Sequence, residues 1–215
     1  MIDFDELGRL YVIRERKWQE FIPPAENIIE YVLGRGISFD QIEKFKLGGA
    51  VSISNDEVIK GKKENILSLP TFHYGKLMGI KIRKINGCNN DRYFSYKGSH
   101  KGLFNHDEVF LTTKPVLVMT GEIAVMVADR CGFLACAPTS GEWGHVDNII
   151  KPLLLAKKII VGDTSEIGKK TAQTRGALLD GIVRFPPEGL DWDEWALKNK
   201  EEAIRETNKW LREAQ

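Results

Sequence analysis

Two spacings of apolar residues organise the chain, and they change places along it. From Val116 onward, short apolar runs of strand length alternate with stretches in which apolar residues recur every three or four positions. This pattern predicts strands over 116–119, 133–137, 158–162 and 182–185, with helices over 122–130, 146–154 and 167–179 between them. Strands alternating with helices across short connections imply a parallel or mixed sheet covered on both faces, an α/β arrangement. A long charged amphipathic helix then runs from the Asp191-Trp192-Asp193-Glu194-Trp195 stretch to the C-terminus.

The first half reads differently. Pro23-Pro24 opens a helix over 25–33, with Gly34 and Gly36 beyond its end. Ser38 and Gln41 have the spacing of a capping box for a second helix, 39–45, closed by Gly48-Gly49. Residues 66–70 and 77–83 read as strands flanking the turn His73-Tyr74-Gly75-Lys76, and 92–96 as a third, shorter strand. Within 77–83, Ile80 and Ile82 share one face while Lys81 and Arg83 share the other. Residues 97–105 form a glycine-rich basic loop. Near the N-terminus, 10–13 reads as a strand and 14–18 as a charged helical turn.

Charge sharpens this division. The formal net charge is only +1, yet 60–101 carries ten Lys/Arg against two acids, Glu64 and Asp91. From Glu188 to the end, eight acids face five bases. Arg83, Lys84, Arg92, Lys97 and Lys101 are interleaved with Tyr93, Phe94, Tyr96 and Phe104. Cations beside stackable rings suit a single-stranded nucleic acid read without base specificity, whereas a merely solubilising lysine surface needs no rings.

The acidic N-terminus is the reverse of a signal peptide, and no apolar run approaches membrane-spanning length. Three cysteines, Cys88, Cys131 and Cys136, make an odd number without a framework and read as reduced thiols of a cytoplasmic protein. No zinc-ligand spacing occurs, and His73, His100, His106 and His145 show none either.

Chemistry concentrates where strands 116–119 and 158–162 run into acidic, glycine-bearing turns, at Thr120-Gly121-Glu122 and Gly162-Asp163. The carboxyl ends of parallel strands are where open α/β sheets bind ligands, and two carboxylates on neighbouring strands can share a divalent cation. Plainer roles compete at each position. Glu122 suits a helix first turn, Asp163 a tight turn, and Asp191 or Asp193 a helix N-cap. The run from Gly162 to Thr171 imitates a phosphate-binding loop, but five residues separate its glycines and Lys170 follows Lys169.

Taken in order, these segments resemble the RNA-polymerase domain of bacterial DnaG-type primases over roughly residues 25–195. Residues 25–49 resemble its opening. Residues 77–83, Arg92-Tyr93-Phe94-Ser95 and Lys101-Gly102-Leu103-Phe104 resemble its basic elements. The part from Val116 is similar to its Toprim domain, shared with topoisomerases and some nucleases. The resemblance implies a basic α+β subdomain over 1–110, a Rossmann-like Toprim subdomain with a mixed or parallel sheet over 111–190, and a C-terminal helix over 191–215.

It also implies action on single-stranded DNA in replication. The implied activity is RNA primer synthesis from NTPs with Mg²⁺ or Mn²⁺, and the implied partners are a replicative helicase or a zinc-bearing primase. The implied catalytic residues are Glu122 and Asp163, and the implied metal ligands are Asp163, Asp191, Asp193 and Glu122. The implied template and nucleotide contacts are Arg83, Lys84, Arg92, Tyr93, Lys97 and Lys101.

The pattern departs from the family at three places. Thr120 stands at the first-strand Glu position and Ala124 at the Asp four residues on. Ser165 fills the second acidic place after Asp163. Glu122 remains where phage primase-helicases often carry a second acid, and the zinc ribbon is missing. These departures leave two alternatives to an active primase: a catalytically silent Toprim-fold DNA-binding or adaptor subunit, and a Toprim nuclease.

Overall fold

A computed structural model describes residues 18–19, 24–53, 63–85, 93–95, 99–139 and 151–214. Backbone contacts divide it into two units, 1–100 and 101–215.

The first unit holds α1 (Glu26–Gly34), α2 (Phe39–Lys44) and a four-stranded antiparallel sheet. Its strands are β1 (Gly48–Ile53), β2 (Lys63–His73), β3 (Lys76–Lys84) and β4 (Tyr93–Ser95), adjacent in that order. The capping box forms: the Ser38 N–H donates to Gln41 Oε1 at 3.0 Å. Gly48-Gly49 does not close α2, however; it opens β1. A Cβ on Gly49 would lie 2.5 Å from the Ile66 carbonyl oxygen and 2.8 Å from Ile28 Cγ2, so glycine here lets α1 lie close against the sheet.

Cross-strand register explains both faces of this sheet. Gly49, Leu67, Arg83 and Tyr93 are successive partners across the four strands, so they form one row on one face. Leu67 is fully buried, and Ile28 of α1 lies over Gly49 at the inner end of that row. The other face buries Ile66, Ile80 and Ile82 in a cluster with Trp18, as the alternation in 77–83 predicts.

The second unit is a five-stranded mixed sheet in the order β5-β7-β6-β8-β9. Its strands are β5 (Leu103–Phe104), β6 (Val116–Val118), β7 (Ala135–Pro138), β8 (Lys158–Val161) and β9 (Ile182–Arg184). The last four are parallel, and β5 is antiparallel at the edge. The helices are α3 (His106–Val109), α4 (Glu122–Arg130), α5 (Glu166–Leu179), α6 (Trp192–Lys198) and α7 (Lys200–Glu213), with a 3₁₀ turn at Lys151–Leu153. Val116, Val118, Cys136 and Ile160 form the centre of the core.

Three expectations change here. Leu103-Phe104 leaves the basic loop to become β5, the strand predicted over 133–137 sits at Ala135–Pro138, and the C-terminal helix is broken at Asn199 (φ −138°, ψ 61°). The strand over 10–13, nearly all of the turn over 14–18 and most of the helix over 146–154 fall outside the described residues. Among the described residues no helix is long and apolar enough to cross a membrane.

Candidate functional site

The sheet of the second unit reverses its direction of winding between β6 and β8. From β6 the chain crosses through α4 to β7 on one side; from β8 it crosses through α5 to β9 on the other. Right-handed crossovers in opposite directions put α4 and α5 on opposite faces and leave a crevice at the carboxyl ends of β6 and β8. Val118 pairs with Ile160, so Thr120-Gly121-Glu122 and Gly162-Asp163 leave neighbouring strands at the same level. Sequence and topology agree on this edge.

The side chains there are engaged in building the helix ends. Asp163 Oδ1 accepts the Ser165 N–H at 2.7 Å, an Asx turn, and Ser165 Oγ accepts the Gly168 N–H at 3.0 Å, the N-cap of α5. The Asp163 carboxylate lies directly over this first turn: a Cβ on Gly168 would be 2.2 Å from its Oδ1. Glycine at 168 therefore makes room for the carboxylate at the positive end of the helix.

Glu122 opens α4 and is only 2% exposed. Thr120 is exposed at the strand end, and Ala124 is buried within α4. The Thr164 hydroxyl accepts the Gly189 N–H at 3.1 Å and ties the loop after β9 to this edge.

Asp191 takes the N-cap position of α6 and Asp193 lies buried in its first turn. The ring of the intervening Trp192 packs edge-on against Phe133, which follows the C-terminal end of α4, whereas Glu122 is at the other end. Among the described residues no three His, Cys, Asp or Glu side chains converge as metal ligands. The donors of the described residues alone do not make up a shared two-metal centre.

The basic residues of the first unit are, by contrast, brought together. Beyond the part of the face beneath α1, the row from Gly49 to Tyr93 turns polar. The Arg83 guanidinium lies 5.0 Å from the Tyr93 ring centre and 5.6 Å from that of Tyr31 on α1. Arg83 Nη1 also donates to the Tyr93 hydroxyl. Lys81, two residues along β3 on the same face, sits 4.7 Å from the Tyr93 ring. Lys84 belongs to the opposite face, 6.0 Å from the Phe94 ring centre.

Tyr93 and Phe94 keep 42% and 44% of their surface exposed, enough to receive a stacked base. Lys101 is exposed at the start of the second unit. Arg92 and Lys97 lie outside the described residues. Tyr31 was not legible as a site residue, because only the packing of α1 on the sheet brings it to Arg83.

This pair of sheets, one antiparallel and one mixed with a parallel core, is the fold of DnaG-type primase catalytic domains, in agreement with the resemblance read from the residues. A DNA primase domain from Pseudomonas aeruginosa superposes with a TM-score of 0.71 at 19% identity, over 92% of this chain and 77% of that one. The Aquifex aeolicus primase, zinc-binding and RNA-polymerase domains, gives 0.69 at 20% identity over 99% of this chain and 62% of that one. A DnaG primase catalytic domain bound to single-stranded DNA gives 0.65 at 17% identity, over 94% of this chain and 82% of that one. Neither a family model nor a curated protein sequence matches the chain.

Proposed function

We propose that this chain is a replication protein of primase fold that holds single-stranded DNA on the outer strands of its antiparallel sheet, without a complete two-metal centre of its own. The observation that carries the reading is the cluster of Arg83, Lys81 and Tyr93, with Tyr31 of α1 behind it, on one face of β3 and β4. Arg83 and Lys81 neutralise phosphate, while Tyr93 on the same face offers a ring to which any base can stack; Phe94 offers a second ring on the other face of the edge strand. Arg92, Lys97 and Lys101 are proposed as further contacts to the strand. The single-stranded DNA bound to the superposing DnaG catalytic domain supports the choice of ligand.

A second reading is RNA primer synthesis from NTPs, and one observation favours it: Glu122 and Asp163 stand on either side of the crevice between β6 and β8. Mg²⁺ or Mn²⁺ would take Asp163 as its main ligand in this reading, and would supply charge neutralisation at the transferring phosphoryl group. A helicase or zinc-bearing partner belongs to this reading.

Two measurements on the full chain separate the readings. Fluorescence anisotropy with an oligo-dT strand is expected to show salt-sensitive binding that weakens in Arg83→Ala and is indifferent to Asp163→Ala. Absence of binding by folded protein at low salt sinks the first reading. A Mn²⁺ titration followed by EPR, with and without NTP, is expected to show no specific site. NTP-enhanced binding abolished by Asp163→Ala would establish the second reading instead.

A further inference from the structure

The end of the mixed sheet opposite the acidic crevice carries features that neither reading uses. The loops leading into β6 and β8 expose three leucines: Leu111 at 47%, Leu154 at 61% and Leu155 at 57%. Residues 111–115 and 151–158 that bear them contain four lysines, Lys114, Lys151, Lys157 and Lys158, and no acid. The two loops are joined where the Leu111 N–H donates to the Pro152 carbonyl at 3.0 Å.

Leu111 also holds a left-handed backbone, φ 54°, which a residue with a Cβ adopts only at a cost. A strained residue whose large apolar side chain stays out of the core points to use at the surface. Alongside, a groove of about 560 Å³ opens between the 112–115 loop, the turn after α4 and the last turns of α7. Phe133, Leu134 and Leu211 contribute its apolar lining; Lys114 and Arg212 outnumber Glu108 among its charges.

We propose that this edge docks an acidic segment of a partner protein carrying leucine or phenylalanine anchors. The lysines complement its carboxylates, and the leucines and groove receive its apolar side chains. Nucleic acid fits less well, since the exposed apolar side chains are leucines and the one ring in the groove lining, Phe133, is only 6% exposed. A bilayer fits less well, since the apolar lining is concave rather than presented on one broad amphipathic face.

The test uses the full chain and a short fluorescent peptide with Asp/Glu and Leu/Phe at helical spacing, beside a control with every Leu and Phe changed to Ser. An oligo-dT strand and phosphatidylserine vesicles form the other two arms. The anchored peptide is expected to bind, the control not, and Leu154→Ser/Leu155→Ser or Lys157→Glu to weaken binding by about tenfold or more. Leu111→Gly is expected to weaken the peptide complex while the thermal midpoint holds or rises, because glycine takes φ 54° without strain. The proposal is overturned by failure of the anchored peptide to bind or by equal binding of the control. It is equally overturned by indifference to these substitutions, or by loss of oligo-dT or vesicle binding in the leucine variants.

Discussion

Tyr93 gives the sharpest test of the strand-face interface. In the free protein its ring meets Lys81 at 4.7 Å and Arg83 at 5.0 Å, contacts of about 0.5–1 kcal/mol each at an exposed site. Tyr93 lies on a three-residue edge strand with 42% of its surface exposed, so Tyr93→Ala leaves no core cavity. Its stability cost is therefore about 1 kcal/mol, a shift of a few degrees.

On DNA the loss is larger. A base stacked on an aromatic ring contributes about 1–3 kcal/mol. At about 1.4 kcal/mol per tenfold, Tyr93→Ala should weaken binding roughly five- to a hundredfold. Tyr93→Phe keeps the ring and removes only the bond from Arg83, so it should stay within about threefold of wild type. Arg83→Ala removes a cation instead and should reduce the salt slope by about 0.7, the value for one phosphate contact on a single strand.

Anisotropy titrations of a labelled oligo-dT strand at several salt concentrations resolve both effects. Tyr93→Ala should lower affinity by the same factor at every salt concentration, while Arg83→Ala should flatten the dependence. If Tyr93→Ala binds within twofold of wild type, or Tyr93→Phe is as damaged as Tyr93→Ala, the stacking role is wrong.

Three further outcomes are expected. Gly162→Ala would place a Cβ 2.5 Å from Phe185 Cε1 and 2.6 Å from Ala172 Cβ. It should destabilise the fold by about 1–3 kcal/mol, and an unchanged urea midpoint would contradict the close approach of α5 to β8. The pair Thr120→Glu/Ser165→Asp should fold, because aspartate caps a helix as well as serine. The pair should gain Mn²⁺ binding by EPR; no gain would mean that positions 120 and 165 do not converge with Asp163.

Burial raises the thiol pKa of both described cysteines, most strongly at fully buried Cys136, and outweighs Lys200 and Arg130 at half-buried Cys131. A raised pKa leaves less thiolate at neutral pH, so Cys131 should alkylate more slowly than a free thiol and still accelerate above pH 9. Cys136 should react only after unfolding. Peptide mapping by mass spectrometry after iodoacetamide treatment checks both, and rapid labelling of Cys136 in native protein would refute the buried placement.

What was legible in the sequence was whatever a local pattern controls. Helix α4 falls on Glu122–Arg130, where an acid in the first turn and a base in the last flank an apolar run from Ile123 to Ala128 that is buried throughout. What escaped depends on distant partners. Gly48-Gly49 looks like a helix stop, but the reason for a glycine at 49 is Ile28 on another element. Leu103-Phe104 is too short to alternate, and becomes a strand only by pairing with Pro138 and Ala137. The break at Asn199 has neither glycine nor proline to announce it; buried Trp195 and Trp210, whose ring centres lie 6.0 Å apart, accompany a folding-back of α7 on α6. The acidic edge was legible as a place, because topology follows from element order, but not as a geometry.

That distinction bears on why the three departures from the family pattern are tolerable. Ser165 caps α5 as an aspartate would, so the second acid can be lost from this turn without weakening the helix. Position 124 is buried in α4 two residues, about half a turn, beyond buried Glu122, and a carboxylate there would be desolvated. A bound cation would offset such a cost. Without that requirement, Ala124 and uncharged Thr120 relieve the edge while β6, β8 and their crossovers are retained. The cations of β3 need no metal partner: they are held by rings of β4 and α1, and their attraction to phosphate depends only on their own charge. Under the proposed reading, single-stranded DNA binding asks only for the strand face, and the helix cap at Ser165 stands without the second acid.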